Sequence, residues 1–332
     1  MTGLLSSSVI NALAVVGSLL VGKYILDFLR LILDFVKPGV SLNKFGANRG
    51  AWAVVTGASD GIGRVFSLEL AKRGFNIVLV SRSQEKLDLV STEITEKYPK
   101  SQTKIHVIDL ADRTSNGASY ENFGKLIEEI DIGILINNAG RSYDHPEYFH
   151  NLSDSEMEAM LDINLHATFK MTKMVLPSMI KKQRGLILNI GSFAGYIPSP
   201  FLAAYTGTKS GLVGFSQALG EELKGTGVTV NLINTYFVVS KLSKFSRPSA
   251  LIPLPTPYVK SVLSRIDSRC GAVNVPYVST PYWSQALVQF VLDRFGMMGL
   301  FLWGNGRMLK ETRRKALRKK ERLGKEKEGG RG

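Results

Sequence analysis

The chain has 332 residues, 42 Lys+Arg against 28 Asp+Glu for a formal charge of +14, and 44% hydrophobic residues. The length suffices for a full hydrophobic core, and the composition excludes a disordered, solvating chain. A lone cysteine, Cys270, excludes a disulfide framework and a cysteine-based zinc site, and His106, His145, His150 and His166 do not pair at metal-ligand spacing, so no metal is expected.

No charged residue precedes Lys23, and residues 4–22 form a 19-residue uncharged run, close to the ~20 residues that cross a bilayer core. A cleaved signal peptide would begin with basic residues, which residues 1–8 lack. A retained membrane helix is therefore predicted, with a helix buried in the core as the competing reading. Over residues 23–36, Lys23, Asp27, Arg30 and Asp34 recur at threes and fours among apolar residues. That spacing predicts an interfacial helix with a charged face and an apolar face, stopped by Pro38-Gly39. Residues 1–45 are thus read as anchor and interfacial helix.

Between residues 50 and 235, short β-branched apolar runs alternate with helix-length amphipathic stretches. The runs are 51–56, 76–81, 104–108, 132–136, 186–190 and 228–233. They are too apolar for a half-exposed sheet, so the prediction is an α/β fold with a doubly wound parallel sheet, helices on both faces. Directly after the first run comes Thr56-Gly57-Ala58-Ser59-Asp60-Gly61-Ile62-Gly63. Gly57 permits the tight turn, Gly61 lets backbone approach a pyrophosphate, and Gly63 lets helix pack on strand. A purely structural strand–helix turn is the alternative. The second run ends in Ser81 and Arg82, where an NAD site carries an acidic residue; a basic one accommodates a 2′-phosphate. Together with Ser59 they point to NADP(H). Asp109, after the third run, is placed to bond an adenine amino group or, equally, to cap a turn.

Ser192 follows the fifth run, and Tyr205 and Lys209 lie i,i+4 on one helical face. Reducing a ketone needs a hydride and a proton. Tyrosine supplies that proton readily only if its pKa of ~10 is drawn toward neutrality. The Lys209 ammonium and the positive ring of oxidised nicotinamide would do this, and Ser192 would donate to the oxygen where charge develops.

Residues 241–283 are irregular and are read as the substrate-binding segment, with Lys241, Lys244 and Arg247 near its mouth. Residues 283–304 are apolar apart from Asp293 and Arg294, which fits either a membrane-contacting helix or ordinary core packing. From 310 to 332 there are eleven Lys/Arg against four Glu, so half of the excess charge sits in this stretch. Without interleaved aromatics for base stacking it is read as a basic cytosolic flank attracted to anionic lipid, and no nucleic-acid partner is expected. Residues 46–309 are read as the NADP-binding reductase domain.

The glycine turn, Asn137-Asn138-Ala139-Gly140, Asn164, and the Ser192/Tyr205/Lys209 set occur in the order of the short-chain dehydrogenase/reductase family, which the chain resembles from about 50 to 240. The resemblance implies a Rossmann-type domain in which Asn138 lies in the cofactor loop, Asn164 completes a proton relay, and Lys209 also binds ribose. Where the family usually has Pro-Gly, this chain has Tyr236-Phe237-Val238, similar to the branch of microsomal 3-ketoacyl-CoA reductases and 17β-hydroxysteroid dehydrogenases. Val238 and Ser240 would then flank the nicotinamide carboxamide. Ser279-Thr280-Pro281-Tyr282-Trp283 is similar to the fungal members of that branch. The likeness implies NADPH-dependent reduction of a very-long-chain 3-oxoacyl-CoA at the endoplasmic reticulum membrane, catalytic domain in the cytosol, alongside other fatty-acid elongation enzymes. A hydroxysteroid or retinoid dehydrogenase, and a non-catalytic nucleotide-binding scaffold, are the alternatives.

Overall fold

The computed structural model describes residues 6–272 and 275–329, with side chains through 323. Residues 1–5, 273–274 and 330–332, which the anchor, substrate-segment and tail readings include, lie outside the described residues. Seven strands, β1 (Trp52–Thr56), β2 (Asn76–Ser81), β3 (Thr103–Val107), β4 (Ile132–Asn137), β5 (Gly185–Ile190), β6 (Val228–Ile233) and β7 (Val278–Ser279), form one sheet in the order β3-β2-β1-β4-β5-β6-β7. Every pairing is parallel. Six strands coincide with the apolar runs. The seventh has only two residues and owes its place to pairing with Leu232 and Ile233, so it leaves no periodicity to read.

Side-chain alternation divides the core in two. Ala53, Val55, Ile77 and Leu79 point to one face, where α2 (Gly61–Lys72), α3 (Gln84–Lys97) and α9 (Pro255–Ser264) bury Phe66, Leu70, Leu87, Ile94 and Tyr258. Val54, Val78, Leu135 and Ile187 point to the other, against α4 (Gly117–Glu128), α6 (Ala167–Lys181) and α8 (Ala203–Glu222). Burial on both faces explains why the central runs are apolar at nearly every position, while the edge strand β3 keeps Lys104 and His106.

One continuous helix, α1 (Ser7–Val36), replaces the expected pair of anchor and interfacial helix. At 1.5 Å per residue it is about 45 Å long. Among the described residues it is the one helix long and apolar enough to cross a membrane, and it can serve as an anchor. The two acidic residues of its charged stripe face the protein while Lys23 and Arg30 stay exposed, a correction to the interfacial reading. Asp27 pairs with Arg294 at 3.0 Å, both side chains less than 10% exposed. Asp34 accepts from the Cys270 amide at 3.2 Å, and Leu31 packs on Ala286 and Phe290. Each acidic group has found a partner on the folded domain, and the exposed residues of the helix in this part are largely apolar: Ile25, Leu26, Leu29, Ile32 and Leu33.

The late apolar stretch divides at Gly296, whose φ of +62° turns the chain between α10 (Trp283–Arg294) and α11 (Met298–Gly329). α10 follows the core-packing reading, with Ala286, Gln289, Phe290 and Leu292 buried. α11 does not stop at residue 310. Asn305 donates to Ser199 Oγ at 3.1 Å, and Arg313 places Nε and Nη2 each 2.7 Å from Glu147 Oε1. The basic stretch is thus attached to the fold rather than separable from residue 310. Burial pushes the Glu147 carboxyl up, but Arg313, the Tyr148 amide and Asn151 outweigh it and bring its pKa down to about 2. With a folded pKa below the free value, the pair contributes stability above about pH 4.5 and loses it as pH falls toward 2. Arg313→Gln is expected to loosen this part of α11 and to speed trypsin cleavage between residues 314 and 322 about fivefold at neutral pH.

Candidate active site

The strand order reverses between β1 and β4, and the carboxyl ends of β4, β5 and β6 open there, beside the start of α2, onto a cavity of about 420 Å³. Of the predicted site residues, Ile62, Asn138, Ser192, Tyr205, Lys209, Val238 and Ser240 line it.

On the β1 side, Gly57 and Gly61 take φ of +65° and +56°, and Asp60 caps α2 by accepting from the Gly61 amide at 2.7 Å. A Cβ on Gly63 would lie 2.2 Å from the Gly57 carbonyl oxygen, so only glycine lets α2 start this close to β1. Asn138 holds the turn from β4: its side-chain amide donates to the Thr56 carbonyl at 3.0 Å, and Thr56 Oγ1 accepts from the Asn138 and Ala139 amides. The result is a helix N-terminus in a bare backbone cradle, which fits a pyrophosphate. Farther along, Ser81 donates to Ser59 Oγ at 3.0 Å, and Arg82, 74% exposed, lies 3.8 Å from Asp109. Asp109 also accepts from the Ala111 amide, as a turn aspartate does. Lys241 pairs with Asp60 at 2.6 Å, so of the three basic residues at the mouth it is partnered at the cradle, while Lys244 lines the cavity. A 2′-phosphate has the exposed Arg82 guanidinium and two serine hydroxyls to meet.

On the β5 side, Ser192 caps the short helix α7 (Phe193–Tyr196), its Oγ accepting from Ala194 at 3.2 Å. α7 packs on α8 so closely that a Cβ on Gly195 would meet the Lys209 backbone at 2.6 Å. That contact sets Ser192 opposite Tyr205. Lys209 is buried, donates to the Ile190 carbonyl at 3.0 Å, and sits 5.9 Å from the Tyr205 ring centre. Burial lowers the Lys209 pKa to about 8. Burial likewise pushes the Tyr205 phenol above its ordinary value, with Ser192 acting in the opposite direction. The sequence led us to expect a phenol drawn toward neutrality. Here the desolvation of the phenolate outweighs Lys209, whose ammonium is engaged with a backbone carbonyl.

Asn164 lies just behind, in a single π turn (Asp162–His166) joining α5 (Asp154–Leu161) to α6. Such turns re-aim a side chain without ending the helix. Its amide exchanges two hydrogen bonds with the Arg141 backbone, both 2.9 Å, and donates to Thr208 Oγ1 at 3.0 Å. A Cβ on Gly140 would come within 3.1 Å of Asn164 Oδ1 and 3.6 Å of Lys209 Nζ, so glycine leaves these two groups facing each other. All four predicted catalytic residues are therefore brought together.

Residues 51–250 match the family model of the short chain dehydrogenase. The chain belongs to that family. It is 49% identical to a very-long-chain 3-oxoacyl-CoA reductase of Laccaria bicolor, over 93% of this chain and 92% of that protein. It is 48% identical to the protein of the same name from Coprinopsis cinerea, over 93% and 91%. A solved short-chain dehydrogenase from Sphingobium yanoikuyae, in complex with NADPH, superposes with a TM-score of 0.61 at 25% identity, over 75% of this chain and 95% of that one.

Within this short-chain dehydrogenase the far wall of the cavity comes from a place the sequence reading did not credit. Phe301, Asn305, Met308, Leu309 and Thr312 of α11 line it, facing Tyr143 and Phe237. Their spacing (i, i+4, i+7, i+8, i+11) is that of one helical face, and it was legible. In the sequence that face is masked by the strong positive charge that begins at Lys310.

Proposed function

We propose that this short-chain dehydrogenase is an NADPH-dependent very-long-chain 3-oxoacyl-CoA reductase of microsomal fatty-acid elongation. Near-full-length similarity to reductases of that name carries the reading, and a largely apolar cavity ending at Ser192, Tyr205 and Lys209 supports it. NADPH, when bound, supplies the hydride that reduces the 3-oxo carbon. Tyr205 Oη gives the proton to the carbonyl oxygen, while Ser192 Oγ donates a hydrogen bond to that oxygen as charge builds. Lys209 holds a positive charge near the phenol and binds ribose. Asn164 fixes the groups through which a proton returns to Tyr205. Gly57, Ser59, Asp60, Gly61, Ile62 and Gly63 would hold the pyrophosphate region, Ser81 and Arg82 the 2′-phosphate, and Asp109 the adenine. Asn138, Val238 and Ser240 would hold the nicotinamide end.

A membrane anchor suits a substrate whose acyl chain dissolves in the bilayer. We place the protein in the endoplasmic reticulum membrane through α1, with residues 46–309 and the basic stretch 310–332 in the cytosol beside other elongation enzymes. The test is product analysis: full-length protein with NADPH and 3-oxoacyl-CoA of graded length should form 3-hydroxyacyl-CoA. Turnover of a ketosteroid but not of any acyl-CoA would overturn the substrate. For the cofactor, Arg82→Ala removes one charge-assisted contact worth about 1.5–3 kcal/mol. KM for NADPH should rise tenfold or more while KM for NADH stays unchanged.

A further inference from the structure

α1 and α10 run antiparallel. Tyr24 lies against Phe295, Phe28 against Phe290, and Leu31 packs with Ala286, so successive turns of one helix meet successive turns of the other in reverse. Hence the elbow at Gly296 is level with Tyr24, and the start of α10 is carried away from it by about 18 Å, twelve residues at 1.5 Å each. The uncharged part of α1 ends at Lys23. If residues 7–26 cross the hydrocarbon core, which takes ~20 residues, then Tyr24 and the elbow lie at one membrane–water boundary. The elbow has the composition for that place. Phe295, Met297, Met298, Leu300 and Trp303 are exposed, and the Arg307 guanidinium stands 4.2 Å from the Trp303 ring centre. Apolar side chains with an aromatic–cationic rim are what the interfacial zone accommodates.

We propose that the α10–α11 elbow is a second membrane contact, dipping Leu300 and Trp303 into the interfacial layer of the leaflet in which α1 ends. The proposal rests on α1 spanning the bilayer. It has a geometric corollary: Phe301, on the other side of the same helix turn, lines the cavity, so one turn of α11 separates lipid from substrate site.

Two tryptophans make the test internal. Trp303 and Trp283 are almost equally exposed, 59% and 57%, but stand at opposite ends of the α10 arm, while Trp52 is buried in the core. Full-length Trp283→Phe and Trp303→Phe chains are reconstituted into phosphatidylcholine–phosphatidylserine vesicles whose acyl chains carry bromine near the headgroup end. Both should float with the vesicles. Emission of the Trp283→Phe chain, which keeps Trp303, should be strongly quenched relative to unbrominated vesicles. Emission of the Trp303→Phe chain should be nearly unchanged. Flotation with equal or absent quenching in the two chains overturns the elbow contact and leaves the anchor standing, including the case in which a second protein covers the patch. Failure to float overturns the anchor, and the elbow with it. Neither outcome depends on enzymatic activity, so the reductase assignment is judged separately.

Discussion

A Tyr205→Phe chain is expected to reduce 3-oxoacyl-CoA about 10²–10⁴ times more slowly than the native enzyme, the usual contribution of a positioned general acid. Binding of NADPH should be little affected, because the ring remains and only the hydroxyl is lost. Stopped-flow measurement of NADPH oxidation at saturating substrate checks the first, and fluorescence titration of the cofactor the second. Turnover within tenfold of native would sink the assignment of Tyr205 as proton donor. The ionisation pattern fits reduction: burial keeps the phenol protonated at neutral pH, ready to donate. Lys209 brings a pH signature, since its pKa is lowered to about 8. As pH rises through about 8 the ammonium is lost, and kcat should fall. Folding stability should move the other way. Between about pH 8 and the unfolded value near 10.5, the unfolded chain binds more protons at this site, so this group's contribution to stability rises with pH. Opposed trends in rate and stability over one pH window would be hard to obtain from general alkaline damage.

Asp27→Ala should be among the most destabilising single substitutions in the molecule. It leaves the Arg294 guanidinium, 8% exposed, without its carboxylate. Removing one partner of a buried ion pair costs about 3–5 kcal/mol, largely the burden of the orphaned charge. Arg294 makes no compensating bond through Nε, which is already buried and unpartnered. Thermal unfolding of the full-length protein in detergent checks the loss. The double change Asp27→Leu with Arg294→Met should restore most of it, because no charge is then buried alone. Activity should fall with Asp27→Ala as well. Asp293, next in α10, hydrogen-bonds the Tyr196 hydroxyl at the end of α7, the helix that Ser192 caps. A loosened α1–α10 pair therefore loosens the support of the catalytic serine. A chain with Asp27→Ala and native stability would show that the helix pair is held by its apolar contacts alone.

The parts of this protein that could be read in advance are those where local pattern and tertiary role coincide. β1, β2, β4, β5 and β6 are largely buried on both faces, so each announces itself as an apolar run, and the edge strand β3 is the weakest of the six. The glycine turn needs Gly63 because a Cβ would strike the Gly57 carbonyl oxygen, a constraint already implied by strand and helix lying adjacent in sequence. Tyr205 and Lys209 share a helical face by spacing alone. What escaped reading depends on partners far along the chain. The stripe of Lys23, Asp27, Arg30 and Asp34 is amphipathic whichever way it points, and only the presence of Arg294 and the Cys270 amide turns two of those residues inward. In the same way α11 is strongly basic from Lys310, yet Arg313 is fixed by Glu147, a residue in an irregular loop with no pattern of its own. The raised Tyr205 pKa belongs to this class too, since burial is a property of the assembled cavity.

The pairing of Asp27 with Arg294 also fixes an order of events during synthesis. α1 emerges from the ribosome first and α10 near the end, so Asp27 stands without its partner for almost the entire time the chain is being made. Until then an acidic side chain sits on the flank of a long apolar helix, and its burial against Arg294 cannot begin. Contacts between sequence-distant elements form late, after the entropy of closing the intervening loop has been overcome. The seven-stranded sheet can assemble ahead of this closure, but α7 receives its brace from Asp293 only when α10 docks. A chain truncated before α10 would therefore lack both the Asp293 brace on α7 and the Arg294 partner of Asp27.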